Sequence, residues 1–146
     1  MAAGVDAVLR GASIACLICF VALFLPVSIA ELVIAARYGD KAVCIPFTIP
    51  IVFKIWLAVK SAAMLLVFFT WGGLLCDGGS TAEKITKALH GLISFFVLIW
   101  LVMGSVMFWH DCNSVAGPPQ LNRMMWASLI LGFITLTINC AMRRFY

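Results

Sequence analysis

Three ionisable side chains, Glu31, Lys54 and Lys60, lie inside apolar runs in the first half of the chain. A charge at the centre of a bilayer costs about 3 kcal/mol on insertion scales, so such a group faces protein or water and marks a place where pairing or transport chemistry happens. Glu31 precedes Arg37 by six residues and Lys54 follows Pro50 by four. At about 1.5 Å per residue, both sit about 6–9 Å inside the ends of adjoining helices, where an antiparallel hairpin pairs them. Lys60 lies about 9 Å deeper than Lys54 and about 120° further round the helix, so it is not expected to share that partner. Two readings of the trio stay open: a polar pathway or lipid-headgroup site, and a structural ion pair beside a lysine that snorkels along its stem. One unpaired lysine does not make a proton relay or a selective pore.

The cysteines are the second reactive set. Cys44 and Cys112 fall in the first and third loops, on one face, and predict a disulfide joining two hairpins where that face is oxidising. Cys16, Cys19 and Cys140 lie within helices, where a thiol behaves as a small apolar residue. Cys16 and Cys19 have C-x-x-C spacing, but no second pair completes a zinc or redox motif. Cys76, at the edge of the second run, is a palmitoylation candidate. His110-Asp111-Cys112 is read as loop rather than metal site, because adjacent residues rarely converge on one ion. Paired carboxylates, a Ser/His/Asp order and a phosphate-cradling glycine loop are all missing. Neither an enzyme nor a cofactor is expected.

These residues must be positioned by membrane-spanning helices. The chain is 64% hydrophobic and 11% charged, with a mean hydropathy of +1.12, well outside the soluble range. A crossing needs about 20 apolar residues, so 146 residues hold four crossings and little else. The expectation is an all-α, four-helix transmembrane bundle, one domain over 1–146, with short loops and both termini on the same side. The helices are placed at about 9–37, 50–75, 82–109 and 123–143. Arg10, Lys84, Lys87, Arg143 and Arg144 on the terminal side outnumber Arg37, Lys41 and Arg123 opposite, where Lys54 also stands a few residues into the second helix. The positive-inside rule then puts the termini in the cytoplasm. No basic cluster suited to nucleic acid is present. The first 30 residues imitate a signal peptide, with Arg10, an apolar run and Ser28-Ile29-Ala30 before Glu31. They are expected to be retained as an anchor, in the plasma membrane or an endomembrane.

Small residues mark the packing faces. Gly11, Ala15, Cys19 and Ala22 share one face of the first helix, and Ser128, Gly132, Thr135 and Asn139 share one face of the last. Pro26 is expected to kink the first helix one turn before Glu31. Trp56 and Trp71 have the positions of interfacial anchors. Ser80 or Thr81 can cap the third helix and Asn122 the fourth.

Two stretches, LPVSIAELVIAARYGDKAVCIPFTIPIVFKIWL and IWLVMGSVMFWHDC, resemble the transmembrane protein 272-like family of small four-pass proteins. The resemblance implies four helices with cysteine-bearing loops and supplies no activity. The expected function is a non-enzymatic structural or scaffolding subunit. It oligomerises laterally through the small faces or packs into a larger membrane complex, with membrane lipids as its other partners. The alternative is a pore or transport subunit lined by Glu31, Lys54 and Lys60.

Overall fold

The computed structural model describes residues 2–49, 51–76 and 81–142. Before Val21 the only side chains described are those of Ala15 and Ile18, and those of 73–76, 82 and 141–142 also lie outside the description. Four helices hold nearly all of these residues: α1 Ala2–Tyr38, α2 Phe53–Cys76, α3 Thr81–Ser105 and α4 Pro119–Met142. A 3₁₀ turn, Gly39–Lys41, closes α1, and a π-helical stretch, Val106–Asp111, continues α3. Counting the 3₁₀ turn with α1 and the π-helical stretch with α3, four segments are long and apolar enough to cross a membrane: Val21–Lys41, Phe53–Gly72, Glu83–Asp111 and Pro119–Cys140. The helical state follows from that composition, because only internal hydrogen bonds satisfy the backbone in hydrocarbon.

The helices pack in sequence order, α1 on α2, α2 on α3 and α3 on α4, and α4 closes the ring against α1. Phe53, Trp56, Leu57, Leu101, Met107, Phe108, Leu121, Met125 and Leu129 are fully buried. Leu23, Phe69, Leu92 and Phe95 point outward from the spans. Glu31, Lys60, Ser61, Ser128 and Thr135 point inward, the polarity a bilayer imposes on a bundle whose outer surface meets lipid.

Helix ends depart from the expected positions for local reasons. α2 starts at Phe53 instead of Pro50, since the Val52 carbonyl accepts from the N–H groups of both Ile55 and Trp56 and so forms the first turn. α4 starts at Pro119 instead of residue 123, with proline in the first-turn position that its missing N–H favours. Asn122 is therefore inside the helix rather than capping it. Its N–H bonds the Pro118 carbonyl at 3.0 Å and its side-chain oxygen accepts from Ala116 N–H at 3.5 Å. Thr81 opens α3, and Ser80 lies outside the described residues.

Candidate functional site

The buried charges of the first hairpin meet, but with a different lysine from the one expected. Glu31 is completely buried, and its carboxylate accepts from Lys60 Nζ on one oxygen and from Ser61 Oγ, at 2.6 Å, on the other. Depth measured from the true helix ends explains the choice. Glu31 stands seven residues before Tyr38 and Lys60 seven after Phe53, an equal depth of about 10 Å. Lys54 stands one residue into α2, level with the 3₁₀ turn, and pairs with Asp40 at 2.7 Å. Both of those side chains are well exposed, at 42% and 74%. The expected Glu31–Lys54 pair is thus replaced by a deep Glu31–Lys60–Ser61 centre and a superficial Lys54–Asp40 pair. Gly39 permits the close approach of α1 and α2 there, because a Cβ on it would lie 2.5 Å from Lys54 Cβ.

Between α2 and α3 the tryptophans form the central polar contact. Trp56 Nε1 donates to the Trp100 carbonyl and Trp100 Nε1 to the Trp56 carbonyl. The Trp56 ring lies directly over Gly104, where any Cβ would collide with it. Trp56 and Trp71 are 0% and 3% exposed, so both are core residues rather than interfacial anchors. Further along the same interface Thr70 Oγ1 contacts His90 Nδ1 at 2.9 Å, and Ser94 Oγ donates to the His90 carbonyl.

One end of the bundle is stitched across its two loops. The predicted disulfide Cys44–Cys112 is present, with a Cα–Cα distance of 5.7 Å. Beside it Val43 N–H donates to the Ala116 carbonyl at 3.1 Å. The Asp111 carboxylate takes Thr48 N–H at 3.0 Å on one oxygen and Thr48 Oγ1 at 2.6 Å on the other. Gly117 adopts φ +147° against Val43 N and Ala42 Cα, a close approach and a backbone conformation that favour glycine. The π-helical stretch sets up this end: Cys112 N–H reaches back to the Met107 carbonyl at 3.2 Å, and the extra residue per turn widens the helix just before the disulfide.

The small-residue faces divide. Ser128, Gly132, Thr135 and Asn139 are all buried within the bundle. Gly132 receives Leu101 of α3, whose Cδ2 would lie 2.5 Å from a Cβ, so this face packs within the bundle and is not free for a neighbouring chain. Ala15 and Ala22 on α1 are exposed. The side chains of Gly11 and Cys19, the expected remainder of that face, lie outside the description, as do those of Cys16 and Cys76. Cys140 is a free, exposed thiol. Cys112 is committed to its disulfide, and among the described residues no group of three His, Cys, Asp or Glu is placed to hold a metal.

Sequence reasoning missed the tryptophan exchange and Ser61. Gly104 four residues after Trp100 was the available signal for the first, and Ser61 adjacent to Lys60 for the second. Comparison with family models, curated proteins and solved structures finds no match to this chain.

Proposed function

We propose that this chain is a non-enzymatic structural subunit of a membrane, assembling laterally with a second copy through the outward face of α1. The observation that carries the reading is a seven-residue repeat on that face. Ala15, Ala22, Ile29 and Ala36 recur at intervals of seven, with Ile18, Leu25 and Leu32 three residues after the first three, and all seven are exposed. Three of the four residues at the first heptad position are alanines, which let two helix backbones approach, and the larger residues at the other fill the adjacent holes. α1 also has the least covered span, with 22% of it buried against 50% for α2. The buried polar groups support a structural role, since Glu31, Lys60 and Ser61 satisfy one another and Lys54 stands apart from them. The Cys44–Cys112 disulfide supports a reading with the first and third loops on an oxidising side and, with the positive-inside balance, the termini in the cytoplasm. This reading accords with the transmembrane protein 272-like resemblance, which carries no catalytic site.

The test is the mass of the assembly in lipid nanodiscs. The unmodified chain should run as a dimer or larger, and Ala22→Trp with Ala36→Trp should return it to a monomer with unchanged helicity. A monomer in the unmodified protein overturns the proposal.

A further inference from the structure

The first loop exposes a large apolar ridge at the stitched end of the bundle. Val43, Ile45 and Phe47 are 80%, 79% and 71% exposed. Ala42 and Cys44 between and before them are half-buried and Pro46 is buried. This alternation is held in place rather than transient. Cys44 is tied to Cys112, Val43 N–H to Ala116 and Thr48 to Asp111, so the segment cannot turn its apolar side inward. Three large apolar side chains fixed outward in water would form an adhesive patch of the kind that marks a contact surface.

The level of the ridge identifies what it meets. Asp111, which Thr48 grips, is the last residue of the α3 span. Trp109, about 3 Å below it along the helix, packs on Trp126, with ring centroids 5.5 Å apart. Both indoles are partly exposed, at 36% and 42%, as residues of an aromatic belt at the edge of the hydrocarbon are. The ridge is joined to residues 111–116, at the end of the span next to this belt. The exposed charges at this end lean positive: Arg37, Lys41 and Arg123 have no acidic partner among the described residues, while Asp40 is taken by Lys54 and Asp111 by Thr48 and His110.

We propose that Val43, Ile45 and Phe47 seat in the phospholipid headgroup layer of the bilayer the chain spans, with anionic headgroups preferred by the surrounding cations. Interfacial insertion buries the three side chains and leaves the irregular backbone among headgroups and water, which satisfy its remaining polar groups. The first hairpin is thereby fixed in depth by a ridge outside its two helices.

Photo-crosslinking of the full chain tests this. Benzoylphenylalanine replaces Val43, Ile45 or Phe47 in nanodiscs of phosphatidylcholine mixed with phosphatidylglycerol, with Phe69, exposed on the α2 span, as the lipid-facing control. Irradiation should add the mass of one phospholipid at each ridge position, as at Phe69. At the ridge alone, phosphatidylglycerol should exceed its share of the bilayer. Ridge positions that give no lipid adduct while Phe69 does, or that cross-link to a second copy of the chain, overturn the proposal. Ridge adducts that follow the bulk lipid ratio overturn the anionic preference.

Discussion

Trp56 and Trp100 exchange hydrogen bonds across the α2–α3 interface, each indole N–H donating to the other's backbone carbonyl at 2.8 and 3.0 Å. The exchange satisfies two polar N–H groups without a polar side chain as partner, and it fixes the register of the two helices at one level. Gly104 makes it possible by leaving room for the Trp56 ring on the α3 backbone.

Enlarging Gly104 should therefore act through Trp56. Gly104→Ala places a methyl group into the indole and should cost about 1–3 kcal/mol, the range for overpacking. Trp56→Phe loses one interhelical hydrogen bond, worth about 0.6 kcal/mol on average within membranes and at most about 1.7. Combining Gly104→Ala with Trp56→Leu should cost less than the sum of the single changes, because the smaller side chain vacates the space the methyl group needs. Circular dichroism during denaturant titration in micelles measures all these variants. Strict additivity would show that the contact between Gly104 and Trp56 does not limit the interface.

The two ion pairs of the first hairpin should differ sharply in strength. Glu31→Gln leaves the Lys60 ammonium buried without a counter-charge, and breaking a buried pair in this way costs about 3–5 kcal/mol. Replacing both partners, Glu31→Leu with Lys60→Met, should recover most of that loss, since matched apolar residues carry no desolvation penalty. Asp40→Asn should change stability by less than about 1 kcal/mol, as expected of an exposed pair screened by solvent. Unfolding free energies of these variants in one detergent decide the matter. A larger loss for Asp40→Asn than for Glu31→Gln would contradict the assignment of the deep centre to Lys60.

The contrast between those pairs shows how much of the molecule is legible in the sequence. Helix number and type follow from apolar length, and Cys44 and Cys112 were paired by their place in loops on one face. Pairing across a hairpin was harder, because it depends on register. Taking α2 to begin at Pro50 shifted its residues by three relative to α1, nearly one turn, and exchanged the roles of Lys54 and Lys60. The face of α4 defined by Ser128, Gly132, Thr135 and Asn139 was visible as a packing face, but spacing alone does not say whether the partner is another helix of the same chain. Burial assigns it to the interior. Trp56 was misjudged because interfacial and buried tryptophans share the same sequence position near a helix end, and only Gly104 on another helix distinguishes them.

The stitched end should tolerate reduction without losing its fold. Cys44 and Cys112 are separated by 68 residues, and closing a loop of that length stabilises by about 4 kcal/mol in the chain-entropy account. Cys44→Ser with Cys112→Ser should lower the unfolding free energy by up to that amount. Helicity should stay unchanged, because the Thr48–Asp111 and Val43–Ala116 hydrogen bonds still join the loops. Those bonds should matter more once the covalent link is gone. With the disulfide intact, Asp111→Ala removes hydrogen bonds worth about 0.5–1.5 kcal/mol each from loops already held together. In the cysteine-free background the same change leaves the loops to the Val43–Ala116 hydrogen bond, so its cost should exceed the value in the disulfide-bonded protein. The comparison is a double-mutant cycle read by unfolding in micelles, with mobility on non-reducing gels reporting the state of the disulfide. Equal costs in the two backgrounds would mean that the hydrogen bonds and the disulfide secure the loops independently.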